Sequence, residues 1–496
     1  MSEWKKVKIG DICKIVKGTA GIASAEPGQY PLVVTAEERK TCSTYQFDCE
    51  AVCIPLVSSS GHGKKSLKNV HYQSGKFALG TILCAVIPNN PQELDARYLH
   101  QYLQFYKDII LVPLMKGAAN VSLSMKDILA VEFPLPPIER QRELSNLFVS
   151  LQEKQKELSA EYEKQTEYAK LLRQNILQEA IEGKLTADWR KKNPVQKGNP
   201  DYDAEALFEQ IQKGEVRSKL RADALVANTP SLKPASQFSA TPSPRGKAPK
   251  TPDNFREFFK EKLDSERNRT NNARSKLLAP ITDEEKSFEI PEGWKWVRLG
   301  EISNKIEAGK SILCNDKIPS NDEIGIVKTG VCSFGKFKEN ESKTCLSKND
   351  WHDEYEIKKG DFLIGRANTL ELVGSCVIVD SINKKLMLSD KILRIVFCNF
   401  VNLFFILYMM KSKFLRSQIE KSSTGSSPTM KNISQESIKN YILPLPPLKE
   451  QEEIVNKVET LLAKVTTLEN QIQERKSLSD KLIFGIIKEN LEAVKK

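Results

Sequence analysis

Histidine is scarce in this chain, with only His62, His71, His100 and His352 among 496 residues, and none of its ten cysteines sits in a CxxC pair. A zinc site needs thiolates or imidazoles converging at short spacing. No metal site is therefore expected, and the cysteines read as buried, reduced thiols. There is no run of 18 apolar residues. The most apolar stretch, Val401 to Met410, is too short to span a bilayer. The opening MSEWKKVKIG lacks the apolar core of a signal peptide. The expectation is a soluble, cytoplasmic protein. Acidic residues are missing altogether from Leu225 to Pro252, where Pro, Ser, Ala, Thr and Lys dominate. Such a stretch buries too little surface to fold and reads as a flexible linker.

Catalytic signatures are missing as well. GKS at Gly309 to Ser311 is no phosphate loop, because Asn304 stands where the leading glycine would be. No HExxH or GxSxG occurs, and no E-x-K follows the Pro252–Asp253 pair at a nuclease-like distance. His71, Asp361 and Asp390 are the tempting acid–base residues, but each lies at a strand edge, where structural hydrogen bonding is the commoner role. No catalytic residue is assigned.

What is present is excess positive charge and an internal repeat. The net charge of +11 favours polyanionic partners, since basic surfaces attract phosphate and release counterions. WKKVKIGDI (Trp4 to Ile12) returns as WKWVRLGEI (Trp294 to Ile302), 290 residues later. LSMKDILAVEFPLPPIERQ (Leu123 to Gln141) returns as ISQESIKNYILPLPPLKEQ (Ile433 to Gln451), 310 residues later. The second copy thus carries about 20 more residues.

Each PLPP precedes a long helical stretch, as a proline-marked start should. The first is expected from about Ile138 to Glu182, with a heptad seam of Leu144, Phe148, Leu151, Leu158, Tyr162, Ala169, Leu172 and Ile176. The second is expected from about Leu448 to Leu491, with Ile454, Val458, Leu461, Val465, Leu468, Ile472, Leu482 and Ile486. The lists share the offset of 310, and Gln165 matches Arg475 in the polar interruption. A sustained repeat of this period means helices wrapping on each other. At 1.5 Å per residue each helix is about 65 Å long, which makes a pair of them a spacer.

The expected architecture is therefore α+β: two globular modules at 1–135 and 288–443, joined by long antiparallel-packed helices at 136–190 and 444–496, in a pseudo-twofold repeat. Between them, 191–287 should hold charged helices (Asp203 to Arg221, Asn254 to Lys276) around the linker. Strand-like runs fill the modules, among them Tyr30 to Val34, Ala51 to Ser58, Ile82 to Ile87, Asp361 to Gly365 and Gly374 to Asp380, with helices at Ala96 to Tyr106 and Phe400 to Gln418.

This arrangement resembles the HsdS specificity subunits of type I restriction–modification systems over nearly the whole chain. The resemblance rests on the paired WxxVxxGxI and PLPP-x3-Q motifs with the helices behind them, and on LLRQNILQEAIEGKLTADWR (Leu171 to Arg190). It also rests on SSSGHGKKSLKNVHYQSGKFALG (Ser58 to Gly80), KKGDFLIGRANTLELVG (Lys358 to Gly374) and LSDKILRI (Leu388 to Ile395). It implies that each module is a target-recognition domain reading one half of a bipartite, asymmetric site in double-stranded DNA. The helices would set the gap between halves and dock two methyltransferase subunits, with restriction subunits joining that core. Adenine methylation and its S-adenosylmethionine would belong to the methyltransferase. ATP, Mg and cutting would belong to the restriction subunit.

DNA contact is expected first in the loop after Ala51 to Ser58. Gly61 and Gly63 allow close backbone approach there, Ser58, Ser59, Ser60 and His62 offer donors and acceptors, and Lys64, Lys65 and Lys68 suit phosphates. In the second module, Arg366 and Asn368 have the bidentate geometry suited to guanine and adenine. Lys328, Lys336, Lys338, Lys391 and Lys421, the last beside Ser422 to Ser427, suit phosphates. A protein-binding coiled-coil scaffold without sequence-specific DNA binding remains the alternative, followed by a nuclease or a fused methyltransferase.

Overall fold

The computed structural model describes residues 4–60, 63–118, 120–214, 278–333, 335–427 and 429–492. His62, the linker from Leu225 to Pro252 and the helix expected from Asn254 lie outside them. The chain forms two compact units, Met1–Glu167 with Glu469–Lys496, and Tyr168–Leu468.

In the first unit, β1 (Lys5–Lys8) pairs antiparallel with β10 (Glu132–Leu135). An antiparallel sheet runs in the order β2 (Cys13–Lys17), β9 (Leu83–Pro88), β6 (Ala51–Pro55), β7 (His71–Gln73). Every residue of β6 is buried, as expected of a central strand covered on both faces. A second sheet runs β4 (Lys40–Cys42), β3 (Tyr30–Val33), β8 (Lys76–Leu79), β5 (Phe47–Asp48), with β3 and β8 parallel. Helix Ala96–Ile110 lays Tyr98, Leu99 and Leu103 into the core, and its N-cap Asp95 accepts from the backbone N–H groups of Arg97 and Tyr98.

The second unit repeats this plan. β11 (Lys295–Arg298) pairs with β22 (Ile442–Leu445) in the register of β1 and β10: Lys5 faces Leu135, and Lys295 faces Leu445. The main sheet runs β12 (Ser303–Ala308), β20 (Ile392–Phe397), β16 (Phe362–Gly365), β18 (Cys376–Ile378). The second sheet runs β13 (Cys314–Asn315), β15 (Ser342–Cys345), β14 (Ile324–Val327), β19 (Lys385–Met387), and again holds one parallel pair, β14 with β19. Most of the extra residues fall between β14 and β16. β3 begins at Tyr30 and β14 at Ile324, an offset of 294, whereas the bridge residues Val57 and Ala367 are 310 apart.

The expected helix from Phe400 to Gln418 is two helices, Leu403–Met410 and Lys413–Ser422. Ser412 separates them, because its hydroxyl accepts from the N–H of Leu415 and restarts the helix as an N-cap. The helix expected to reach Arg221 spans Ala204–Lys213 and stops at Gly214, which adopts the left-handed conformation of a C-cap.

The long helices span Ile138–Ile181 and Leu448–Glu492. Each unit takes part of both, since helix residues complete the module cores. Leu144, Phe148 and Leu491 join the first core, and Ile454, Val458, Val465 and Ile176 the second. Within the first unit the helices run antiparallel: Arg140 donates to Asn490, Gln155 to Asp480, and the Tyr162 and Ser479 hydroxyls meet at 2.8 Å. Within the second, Arg173 donates to Thr466 at 2.7 Å. The seam departs from the strict heptad at three expected positions. Leu172, Leu468 and Leu482 are 43%, 43% and 65% exposed, while Ile483, one place on from Leu482, is buried. An α-helix drifts about 20° per heptad against a 3.5-residue repeat, so over several turns the inward position passes to the next residue.

Candidate nucleic-acid interface

The repeated PLPP-x3-Q motif earns its glutamine by geometry. Gln141 is fully buried. Its amide nitrogen donates to the carbonyls of Glu93 and Pro136, and its Oε1 accepts from the N–H of Asp95. Gln451, equally buried, donates to the Pro446 carbonyl and accepts from the N–H of Asn402. Asp95 and Asn402 are the N-caps of the module helices. One side chain thus staples the start of each long helix to the helix of its module.

Beyond β6 and β16 the chain reaches the same place in the two units. Val57 bridges Ser122, and Ala367 of β17 (Ala367–Asn368) bridges Asn432 of β21 (Lys431–Asn432); both partners lie 310 residues apart. Likewise the N–H of Leu123 donates to Leu56, and that of Ile433 to Arg366. The two segments expected to read DNA, the loop after Ser58 and Arg366 to Asn368, therefore occupy matching positions in their modules.

Their chemistry differs. In the first unit the serines hold the loop in shape. The Ser58 hydroxyl donates to the Lys64 carbonyl and accepts from the N–H groups of Ser60 and Ser66. Ser59 Oγ accepts from the N–H of Lys68, and Ser60 Oγ meets Ser66 Oγ at 2.7 Å. With the hydroxyls so occupied, the loop turns Lys64, Lys65 and Lys68 outward, all exposed. In the second unit Arg366 and Lys391 are exposed neighbours joined through the backbone, the N–H of Arg366 donating to the Lys391 carbonyl. Asn368 is half-buried, and its amide donates to Ser333 Oγ at 3.3 Å. Lys336, Lys338 and Lys421 are exposed. Lys328 is held by Asp316 at 2.6 Å, an ion pair that competes with any phosphate.

Two of the three tempting acid–base residues, His71 and Asp361, have structural partners. His71 is buried, with Nδ1 3.2 Å from the Arg39 guanidinium. Burial, reinforced by that charge, pushes its pKa down to about 4, so the ring is neutral near pH 7. Arg39 also reaches Gln73 and the carbonyls of Glu37 and Tyr72. Asp361 and Glu307 both grip Arg394, at 3.1 and 2.6 Å. Among the described residues no group of three or more His, Cys, Asp or Glu side chains converges on a point where a metal would sit. All ten cysteines are free thiols; Cys49 and Cys314 are half-buried and the rest buried. No helix among the described residues is long and apolar enough to cross a membrane.

A second buried cluster went unassigned in the sequence. Glu450, 1% exposed, accepts from Arg190 at 2.5 Å, Thr186 Oγ1 at 2.6 Å and Trp294 Nε1 at 2.7 Å, and the Arg190 guanidinium lies over the Trp294 ring. It joins the LTADWR segment to PEGW and to the start of the second long helix. Its sequence signal is the apposition of two Trp-bearing motifs flanking the non-repeated segment, but nothing in the spacing identifies Glu450 as their common acceptor.

Comparison with known proteins agrees with this architecture. The family described as type I restriction modification DNA specificity domain matches residues 1–167 and 291–475. The specificity subunit of the type I restriction enzyme EcoEI of Escherichia coli is 31% identical over 202 residues, 40% of this chain and 34% of that protein. The matched stretch is thus about a third of that relative's length. Among solved structures, the HsdS subunit of Thermoanaerobacter tengcongensis aligns over 99% of this chain and 96% of its own, at 15% identity and a TM-score of 0.50. A chain from a structural study of type I R-M complex assembly and conformational transition aligns over 99% and 97%, at 15% identity and a TM-score of 0.53. These two share the fold. With its two matched regions and its repeated modules, the chain belongs to the type I restriction modification DNA specificity domain family.

Proposed function

We propose that this chain is the DNA-reading subunit of a type I restriction–modification complex, each module binding one half of a bipartite, asymmetric site. The observation that carries this is the pairing of equivalent scaffold positions with unlike side chains. The same place after β6 and β16 holds an exposed lysine loop in one module and Arg366 with Asn368 in the other. One scaffold bearing two different reading edges suits a site whose halves differ in sequence. The long helices set the separation of the halves.

In this reading the partners are two methyltransferase subunits, which bind S-adenosylmethionine and methylate adenine, and restriction subunits, which use ATP and Mg to cut unmodified DNA. Repeat-equivalent exposed apolar residues support a partner that binds twice. Tyr168 and Leu478, 310 apart, are 67% and 56% exposed, and Leu172 and Leu482 follow the same offset. Large apolar side chains recurring on a solvent face mark protein interfaces.

The test exchanges residues 1–135 for the module of another family member and maps methylated adenines in cells that carry the partner methyltransferase. One half of the recognised sequence should change. A change in both halves, or in neither, refutes the modular reading.

A further inference from the structure

Beside each reading segment stands a hairpin of the same design. In the first unit Lys116 and Ser122 exchange both backbone hydrogen bonds, at 2.8 Å each. In the second, Thr424 and Asn432 do the same, at 2.8 and 2.9 Å. Each hairpin opens on a glycine of positive φ, Gly117 at +124° and Gly425 at +121°. A Cβ on Gly117 would lie 2.2 Å from the Asn120 carbonyl oxygen, and one on Gly425 would lie 2.3 Å from that of Met430. Both turns therefore require glycine for the same reason, although GAAN and GSSPTM share little else.

Each hairpin also buttresses its reading segment. The N–H of Ser58 donates to Val121, and a Cβ on Gly63 would meet the Ala118 oxygen at 2.3 Å. In the second unit Asn368 pairs with Lys431. Lys431 in turn donates from its ammonium to the Gly425 carbonyl, pinning the turn. Asn120 and Ser426 are exposed, as is Lys116, whose side chain is 77% exposed and pairs with Asp127. Neither turn sequence contains an acidic residue.

The two halves of an asymmetric site differ in their bases and share their sugar–phosphate chains. A device present in both modules fits the shared chemistry, and the elements that differ fit the bases. We propose that these glycine hairpins, through Gly117 and Asn120 in one module and Gly425 and Ser426 in the other, grip the DNA backbone whatever its sequence, leaving discrimination to the segments beside them. This rests on the DNA-reading function above and divides its surface into two roles.

The experiment uses the full chain assembled with its methyltransferase, and measures binding to the duplex mapped in cells and to a scrambled duplex across a salt series. Asn120→Glu and Ser426→Glu each place a carboxylate at a turn. Each should weaken binding to both duplexes by the same factor, roughly tenfold at low salt, and lower the salt slope by about one. The methylated sequence should not change. Both Glu variants should melt where the parent complex does, which reports that the turns still fold. Arg366→Ala should instead erode the preference for the mapped duplex and spare the scrambled one. Loss confined to the mapped duplex in the Glu variants, an altered methylated sequence, or unchanged binding to both duplexes would overturn the proposal. An unaltered complex that fails to tell the two duplexes apart would remove the underlying function instead.

Discussion

Glu450 offers the sharpest energetic test. Its carboxylate is 1% exposed and serves three donors, Arg190, Thr186 and Trp294. Glu450→Ala leaves the Trp294 N–H without its acceptor and Arg190 without its counter-charge. Breaking a buried ion pair from one side costs about 3–5 kcal/mol, and orphaning a buried neutral donor about 1–3. The two losses overlap, and Arg190 keeps the Gly183 carbonyl and some solvent, its side chain being 22% exposed. The expected cost is therefore about 3 kcal/mol. For a unit spanning Tyr168–Leu468 that lowers its melting temperature by roughly 5–6 °C. Scanning calorimetry of the full chain should show the transition of the second unit moving while that of the first, which lacks this cluster, stays. Glu450→Gln keeps an acceptor and should shift it about half as far. A shift below about 2 °C for the alanine variant would mean that these short hydrogen bonds hold nothing together.

His71 sets an acid limit on the first unit. Its pKa is about 4 in the fold against an ordinary 6.5, so as pH falls through that window the unfolded chain takes up a proton that the folded chain refuses. The His71 contribution should be level above about pH 6.5, decline by about 3 kcal/mol toward pH 4 and level off below it. In urea titrations His71→Gln should flatten that slope, and an unaltered slope would exonerate His71. Replacing Lys64 and Lys65 with Ala should weaken DNA binding and lower its salt slope by about one for each phosphate no longer neutralised; an unchanged slope excludes the loop from the interface. Inserting one heptad into each long helix adds about 10 Å to it. The mapped gap between half-sites should change, and a constant gap would show that the helices do not set it.

Much of the fold was legible because it was written twice. Two motifs at offsets of 290 and 310 marked the ends of both modules, both helix starts and the insertion between them. The long helices were readable from their apolar period, while drift of the seam past Leu172, Leu468 and Leu482 was not, because a period carries no memory of accumulated twist. The break at Ser412 was hidden by the apolar continuity on either side of it. In the candidate site, the exposed lysines of the 58–68 loop could be read from composition. That its serines are spent on internal hydrogen bonds could not, since a hydroxyl's partner depends on where a turn folds back. The equivalence of Ser58 and Asn368 was likewise invisible: no residue is shared there, and only the flanking backbone pairing reveals it.

The glutamine staples have an evolutionary corollary. Gln141 and Gln451 take hold of their modules through main-chain groups alone, the carbonyl of Glu93 and the amides of Asp95 and Asn402. Such a joint places almost no demand on side-chain identity across it. At this corner a foreign module need only follow the same main-chain path, while the apolar packing of Leu144 and Phe148 into the module core still limits which modules can be exchanged.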